Sequence, residues 1–283
     1  MKRPQDIAAE QNTMNTIVNL TGAFEGIASI QIAKTKNQVL KSQQFFNTLW
    51  QIYSQLRVDS LFRFGRTQDN DAVDKELFIA ITAEGGFSGD IDQKLITWML
   101  TQYDKEKHDI VILGHHGAIQ LTQMGIAFKK YYKLPEKDQN INVAPLIKEV
   151  AHYRKTSVFY QTYVSLMVQD IKRIELGKAV QQAGNKAEKG EDVISEETYI
   201  FEPSTFDVVA HLESSMLEIS LSQVILDSKL AQYASRFRAM TVSNSKAEKD
   251  LATLKNMFNR TKRAVADERL KETINGMRKA VRS

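Results

Sequence analysis

The chain has 283 residues, of which 42% are hydrophobic and 25% charged, and its formal net charge is +4. These values are typical of a globular protein with one large or two ordinary domains. The chain has no cysteine, which excludes disulfides and thiolate metal sites, and no stretch reaches the roughly 18 consecutive apolar residues of a membrane-spanning helix. The polar segment after Lys2 and Arg3 is not that of a secretory signal peptide, so we expect a cytoplasmic location.

The first predicted element is a long helix within residues 1–60. Its apolar residues recur at helical spacing, and we expect them to form a contact face: Ile17, Leu20, Phe24, Ile27, Val39, Phe46, Leu49, Tyr53 and Leu56. Gly22 and Gly26 lower the local helix propensity by about 1 kcal/mol each relative to alanine.

A globular domain with alternating strands and helices is predicted for residues 76–203. The apolar run 77–81 predicts a buried strand, and the glycine-rich turn AEGGFSGD connects it to a helix over 90–104, with Asp90 or Asp92 as the N-cap. Residues 109–113 predict a second strand, followed by the turn GHHG and a short helix that runs through Met124.

The second half of this domain is less regular. We expect a third strand over 127–134, a helix over 141–155 with Pro145 in its first turn, and a long strand or hairpin over 157–174. The polar segment 177–196 predicts a mobile loop, and residues 199–201 predict a strand just before Pro203. Together these elements indicate a β-α-β, Rossmann-like domain.

Residues 204–283 contain no proline and only one glycine, Gly276, which favours one long helix. Its apolar residues alternate in steps of three and four, as in a coiled-coil seam, and Asn244 and Thr261 are the only polar members of this series. The predicted seam consists of Leu230, Tyr233, Phe237, Met240, Asn244, Ala247, Leu251, Leu254, Phe258, Thr261 and Val265. A helix from Leu212 to the end would be on the order of 100 Å long. We expect it to pair antiparallel with the N-terminal helix, which would end opposite roughly residue 264, and the last turns would project as a single helix because the seam loses its phase after Val265.

The end of this helix is basic, with nine Lys and Arg residues from Lys255 onward. Three interpretations remain open: a solvated helix face, a surface for an acidic protein partner, or a nucleic-acid contact.

No residue pattern predicts an active site. The turn 82–90 matches neither glycine-rich nucleotide fingerprint, and Glu84, Asp90 and Asp92 would repel a phosphate, so a tight strand-to-helix turn is favoured over a phosphate-binding loop. Glu84 and Asp90 could form an acid/base pair, but a structural role is favoured because no third group is visible.

The histidines and tyrosines are equally weak candidates. His115 and His116 are adjacent and point apart on a regular element, so a turn or surface role is favoured over metal binding. Tyr131 and Tyr132 follow two lysines and could stack on nucleic-acid bases, but a strand with one wet face explains them as well.

Several motifs carry a family resemblance. SRFRAM at 235–240 is similar to A-R-M-x-A-M, and Asn259, Ala264, Glu272 and Gly276 fall on the terminal pattern that follows it. TAEGGFSGD at 82–90 is similar to T-S-D-R-G-L-C-G-G, GHHG stands in the place of G-x-K-G, and YIFEPS resembles Y-x-Y-E-P-S. The chain therefore resembles the gamma subunit of F-type ATP synthase along nearly its whole length, as a divergent member, since Gly85 replaces the family's arginine and Asp90 its second glycine.

The resemblance implies an α/β fold in which a long antiparallel coiled coil of the N- and C-terminal helices carries the globular domain. It implies a non-catalytic rotor shaft that couples a membrane ion-driven ring of c subunits to ATP synthesis or hydrolysis by three alpha and three beta subunits. An epsilon subunit would be a further partner, and the complex would be peripheral, on the cytoplasmic face of the cell membrane. No cofactor, metal, nucleic acid or small-molecule substrate is implied.

The resemblance and the basic end together indicate residues that would contact the ring of alpha and beta subunits, and we call these the ring-contact candidates. These candidates are Arg236, Arg238, Met240, Arg260, Lys262, Arg263, Arg269 and Lys271.

Three other hypotheses stay open at this point. The chain could be the shaft of a related ATPase with another task such as motility. It could be a nucleotide-binding enzyme that dimerises through its helices. It could also be a nucleic-acid-binding arm that uses the basic end, with strongly salt-dependent affinity.

Overall fold

The computed structural model describes residues 2–55, 73–134, 141–180, 200, 202 and 204–280. The chain divides into two compact units, each described here by itself. The helical unit comprises Met1–Ile27 and Phe237–Ser283, and the sheet unit comprises Ala28–Arg236. The two long predicted helices are confirmed as α1, Pro4–Gln55, and α5, Thr205–Ala280. In the described part of the chain, no helix combines the length and the apolar character that crossing a membrane would need.

In the helical unit, α1 and α5 run antiparallel. Gln11 Nε2 donates to the Leu254 carbonyl at 2.9 Å, and Asn244 Nδ2 donates to Thr21 Oγ1 at 3.0 Å. This register places Pro4 opposite about residue 261, close to the predicted position. From Met240 to Val265 the predicted seam of α5 is buried or half-buried, whereas all residues from 266 to 278 are exposed. The prediction that the last turns form a single helix is therefore confirmed for the described residues.

The predicted contact face of α1 is wrong at three of its four positions in the helical unit, whereas the fourth, Phe24, is half-buried. Ile17, Leu20 and Ile27 are 39%, 53% and 52% exposed. The residues that turn toward α5 lie one position further along the helix, and they are buried or half-buried: Ile7, Gln11, Met14, Val18, Thr21 and Glu25. From Val18 to Glu25, hydrogen bonds from Asn244 and Thr241 of α5 accompany this face.

In the sheet unit, the C-terminal part of α1 packs on the first turns of α5. Phe46, Trp50 and Tyr53 form an apolar cluster with Val209 and Met216. The predicted contact positions Phe46, Leu49 and Tyr53 are thus confirmed here, while Leu56 lies outside the described residues.

The rest of the sheet unit is a five-stranded sheet with helices on both faces. Its elements, in chain order, are β1 (Val73–Ile81), α2 (Ile91–Leu100), β2 (His108–Leu113), α3 (His115–Gln123), β3 (Lys130–Tyr132), α4 (Ala144–Ala151), β4 (Tyr153–Tyr163) and β5 (Gln169–Glu175). The strand order is β3-β2-β1-β4-β5; β1 to β4 are parallel and β5 is antiparallel to β4. The predicted α/β class is confirmed.

Alternate residues of β1 serve two cores because successive side chains point to opposite faces. Ile79 and Ile81 pack in a cluster that includes Leu221 and Ile225 of α5. Phe78 packs on the other face with residues of α2 and α3. All the described positions of β1 from 77 to 81 are fully buried, as the apolar run predicts.

Several predicted boundaries need correction. The helix predicted over 141–155 ends at Ala151, because Tyr153 already pairs with Val73 of β1. Similarly, α2 ends at Leu100, and β3 has only three residues. The segment 157–174 is the predicted hairpin, formed by β4 and β5.

The segment before α5 differs as well. Residues 176–180 are helical, so the predicted loop is wrong at 177–180, and the remainder of that loop, 181–196, lies outside the described residues. Ile200 belongs to no strand, and Tyr199 and Phe201, the other two residues of the strand predicted over 199–201, lie outside the described residues.

Candidate functional site

The carboxyl ends of β1 and β4 form the place where a ligand would be expected. The chain passes from β1 to β2 on one side, whereas β4 lies on the other side of β1. In open α/β sheets, ligands bind in the crevice at such a reversal of strand order. In this chain, side chains of α5 and a buried carboxylate occupy the crevice, and together with the turn 82–90 they form what we call the junction.

Asp92, in the first turn of α2, is the centre of the junction. This residue is 2% exposed, and its Oδ1 accepts from Ala83 N at 3.2 Å and from Gln161 Nε2 at 2.8 Å. Its Oδ2 lies 3.0 Å from His116 Nδ1. One carboxylate therefore links the turn after β1, α2, α3 and β4.

Gln161 passes this network on to α5. Its Oε1 accepts from Ser228 Oγ, and from Gln232 Nε2 at 3.4 Å. Gln232 Nε2 also donates to Ser228 Oγ at 3.0 Å. All three residues are buried, so these bonds are shielded from water.

A second carboxylate fixes α5 at the hairpin. Asp227 accepts from Thr162 Oγ1 at 2.8 Å and from Tyr163 N at 3.4 Å. Burial raises the pKa of Asp227, and these two hydrogen bonds oppose the rise.

The turn 82–90 contacts α5 directly. Ser235 Oγ donates to the Ser88 carbonyl at 2.7 Å. Arg236 donates from Nε to the Gly86 carbonyl at 3.0 Å and from Nη2 to the Gly85 carbonyl at 3.1 Å. Burial lowers the pKa of Arg236. The motif residues of this turn thus hold the helix, which confirms the structural interpretation of the turn.

The two glycines of GHHG are required by Thr82. Gly114 has φ +97°, and a Cβ there would lie 2.0 Å from the Thr82 carbonyl oxygen. A Cβ at Gly117 would lie 2.8 Å from Thr82 Oγ1, which instead accepts from Gly117 N at 3.0 Å. This packing brings His116 to Asp92.

His116 has a role that the sequence did not reveal. Its hydrogen bond to Asp92 raises its pKa above the ordinary histidine value, although burial opposes the rise. His115 is exposed, in line with a surface role. No group of residues in the described part of the chain has the composition of a metal site.

The acidic candidates are structural, as predicted. Glu84 accepts from Tyr131 OH at 3.2 Å and from Leu134 N, so it ties the turn to β3. Asp90 is the N-cap of α2, but its side chain pairs with Lys94 at 2.9 Å and makes no capping bond.

The lysine and tyrosine cluster is also engaged within the sheet unit. Lys129 Nζ donates to Tyr153 OH at 2.9 Å, and Lys130 Nζ to Glu149 Oε1 at 2.7 Å. Tyr132 OH donates to the Pro145 carbonyl at 3.3 Å. These contacts favour the strand interpretation over base stacking.

The ring-contact candidates fall into two groups. Five cations of α5 are exposed: Arg260, Lys262, Arg263, Arg269 and Lys271. Met240 is 6% exposed within the helical unit, so its side chain is a core residue and not a surface contact. Arg236 is engaged with the turn, and Arg238 is half-buried.

The junction was not predicted, but the sequence held a signal for it. Ser228, Gln232 and Ser235 recur at helical spacing, and Leu230 and Ala231 between them are apolar and buried. A polar stripe within a buried helical segment needs internal partners.

Known proteins are similar to this chain over nearly its whole length. A family model described as ATP synthase matches residues 4–279. An ATP synthase gamma chain of Chlorobium phaeobacteroides is 23% identical over 289 residues and aligns over 96% of each chain. One of Clostridium novyi is 21% identical over 274 residues, with 93% of each chain covered.

Solved structures agree on the fold. A chain in the cryo-EM structure of the Euglena gracilis mitochondrial ATP synthase (OSCP/F1/c-ring) matches with a TM-score of 0.67 at 13% identity, covering 96% of this chain and 94% of that one. A chain of the Tetrahymena thermophila mitochondrial ATP synthase central stalk and c-ring matches with a TM-score of 0.58 at 14% identity, covering 79% and 98%. The chain belongs to the ATP synthase family that this model describes.

Proposed function

We propose that this chain is the central rotor shaft, or gamma subunit, of an F-type ATP synthase. In that role it couples rotation of a membrane ion-driven ring of c subunits to ATP synthesis or hydrolysis in a ring of alpha and beta subunits. The relatives named as gamma chains and the neighbours titled as rotor or central stalk with a c-ring support the assignment. We further assign three copies each of alpha and beta, an epsilon subunit beside the sheet unit, and a position on the cytoplasmic face of the membrane.

The observation that carries the proposal is the junction. A shaft transmits torque only if the helix cannot turn independently of the body that it drives. Gln161, Asp227 and Asp92 provide such a connection, because they bond α5 to β4 and, through Asp92, to α2 and α3. Buried polar networks resist shear because every displaced donor loses its partner without gaining water.

The same geometry favours a non-catalytic role. Ser228 and Gln232 occupy the crevice in which a doubly wound sheet would hold a nucleotide, so helix α5 and a nucleotide would compete for one space. The enzyme hypothesis requires that space to be open. The complex as a whole performs the chemistry, and this chain drives it.

The exposed cations of α5 are proposed as contacts with the alpha and beta subunits. In the described part of the chain, Arg260, Lys262 and Arg263 form no ion pair, which leaves them available to acidic groups of a partner. Each exposed pair is worth about 0.2–1 kcal/mol, so we expect torque to depend on their sum. Single replacement of any of the three by alanine should leave assembly and most ATP-driven rotation intact; loss of all rotation from one such change would contradict this distribution.

Affinity purification from the native host tests the assignment. A tag on the full chain should recover alpha-like and beta-like ATPase subunits, three of each for one copy of the chain. The matched control carries Gln161→Leu, which weakens the junction without touching the exposed cations, and it should recover the same subunits with reduced coupling. Recovery of the tagged chain without any ATPase subunit would refute the assignment.

A further inference from the structure

In the helical unit, α1 carries two possible contact faces that lie one residue apart. The face that meets α5 is formed by Ile7, Gln11, Met14, Val18, Thr21 and Glu25. The alternative face is formed by Thr13, Ile17, Leu20, Phe24 and Ile27, all of which are exposed except Phe24, which is half-buried. Both have the alternating three-and-four spacing of a coiled-coil seam.

Between residues 17 and 27, the face that meets α5 is the less apolar of the two. Between residues 17 and 27, the alternative face has a large apolar side chain at each of its four positions. Over the same turns the contacting face has one, Val18, together with Thr21 and Glu25. Over these turns, burial of apolar surface alone would favour the alternative face.

Hydrogen bonds from α5 account for the observed choice. Asn244 Nδ2 donates to the Val18 carbonyl at 2.9 Å and to Thr21 Oγ1 at 3.0 Å. Thr241 Oγ1 donates to Glu25 Oε1 at 2.9 Å. A polar residue at a seam position fixes the relative position of two helices, because any other arrangement leaves it without partners.

We propose that Asn244 and Thr241 hold α1 in the less apolar of two rotational states. The second state is reached when the part of α1 within the helical unit, residues 4–27, turns about its own axis by about 100°, the angle between successive residues. In that state the alternative face meets α5, and Val18, Thr21 and Glu25 turn outward. This two-state helix is a property of the helical unit by itself, so its test is independent of the rotor assignment.

The state of α1 can be measured by disulfide formation in the full chain, which has no cysteine of its own. The register places Met14 opposite Leu251, with both side chains in the seam, whereas Thr13 is exposed. The reporter chains carry Leu251→Cys with either Met14→Cys or Thr13→Cys. In the otherwise unchanged chain, we expect the Met14→Cys reporter to oxidise at least about tenfold faster, since a disulfide requires facing Cβ atoms.

Removing the two polar groups should abolish or reverse the faster oxidation of the Met14→Cys reporter. With Asn244→Leu and Thr241→Val together, we expect the ratio of the two rates to fall to about one or below, because the alternative face then gains apolar partners without losing hydrogen bonds. Thr261→Leu is the matched control: Thr261 is a buried seam residue that makes no hydrogen bond to α1 within the described residues, so the ratio should stay unchanged.

An unchanged ratio in the double variant, with helix content retained by circular dichroism, would overturn the proposal. If the double variant loses its helix content, Asn244→Ala decides instead, since alanine favours the helix and still removes the amide. A several-fold fall of the ratio in Asn244→Ala supports the proposal, and a ratio equal to that of the parent chain overturns it.

Discussion

Gln161→Leu tests the junction most sharply. The substitution keeps the approximate size of the side chain and removes three hydrogen bonds, from Ser228 Oγ, from Gln232 Nε2 and to Asp92 Oδ1. The bond to the carboxylate is worth about 2 kcal/mol, the one from Ser228 about 1 kcal/mol, and the one from Gln232, at 3.4 Å, less. Leucine returns roughly 1 kcal/mol through apolar burial. We therefore expect the free energy of unfolding to fall by about 2–3 kcal/mol.

Urea unfolding followed by tryptophan fluorescence measures this change. Both tryptophans lie in the sheet unit, and the Trp98 ring contacts the Phe159 ring edge-on at 5.5 Å, two residues from the substitution. Gln123→Leu is the control, because Gln123 is exposed and should change stability by less than about 0.5 kcal/mol. In the assembled ATPase the same Gln161→Leu variant should lower the ATP-driven torque. A stability equal to that of Gln123→Leu would refute the argument that this network fastens the helix.

Three further substitutions test parts of the same structure. Gly114→Ala should lower the free energy of unfolding by about 3 kcal/mol or more, because the added Cβ would lie 2.0 Å from a carbonyl oxygen. Gly125→Ala, at φ +69° and with open space around the added Cβ, should lower it by only about 1 kcal/mol. Equal losses in urea unfolding would contradict the packing argument. His116→Gln should lower the free energy of unfolding by about 1 kcal/mol below pH 6.5, because the pair with Asp92 stabilises the fold only while His116 is protonated. The difference from the parent chain should vanish as the pH rises through the raised pKa of His116. A pH-independent difference would exclude the pair with Asp92. For Glu76→Gln the pH dependence has the opposite sign. Burial alone would raise the pKa of the Glu76 carboxyl, but the hydrogen bonds from Ser157, Lys155 and Arg173 outweigh burial and lower it. The variant should therefore lose about 1–2 kcal/mol of unfolding free energy at neutral pH, and this loss should shrink as the pH falls below 4.5. Urea titrations at several pH values would show a loss that persists in acid if this carboxylate were not the cause.

The sequence predicted the parts of the fold that depend on apolar periodicity. The run 77–81 and the seam of α5 could be recognised because their apolar residues have partners of the same kind. The face of α1 could not, because Ile17 and Leu20 give the stronger periodic signal while Asn244 selects Val18 and Thr21. Apolar counting does not detect a choice that hydrogen bonds make.

The same reason explains why the junction was missed. The sequence indicated Asp92 only as an N-cap and as a charge near a turn, because its partner Gln161 lies in strand β4, 69 positions away. The end of the helix predicted over 141–155 failed for a related reason, since pairing of Tyr153 with β1 overrides the local propensity. The Thr82, Gly114 and Gly117 contacts became interpretable only when β1 and β2 were placed side by side.

Direct observation of rotation tests the central claim. Glu106 is exposed in the turn between α2 and β2, and its carboxylate makes no contact in the described part of the chain, so Glu106→Cys provides a single attachment point for a bead on this chain. With the alpha and beta subunits fixed to a surface, ATP should drive the bead in one direction, with three pauses per revolution. A bead that only fluctuates, in a complex that hydrolyses ATP at its normal rate, would contradict the account of this chain as the rotor.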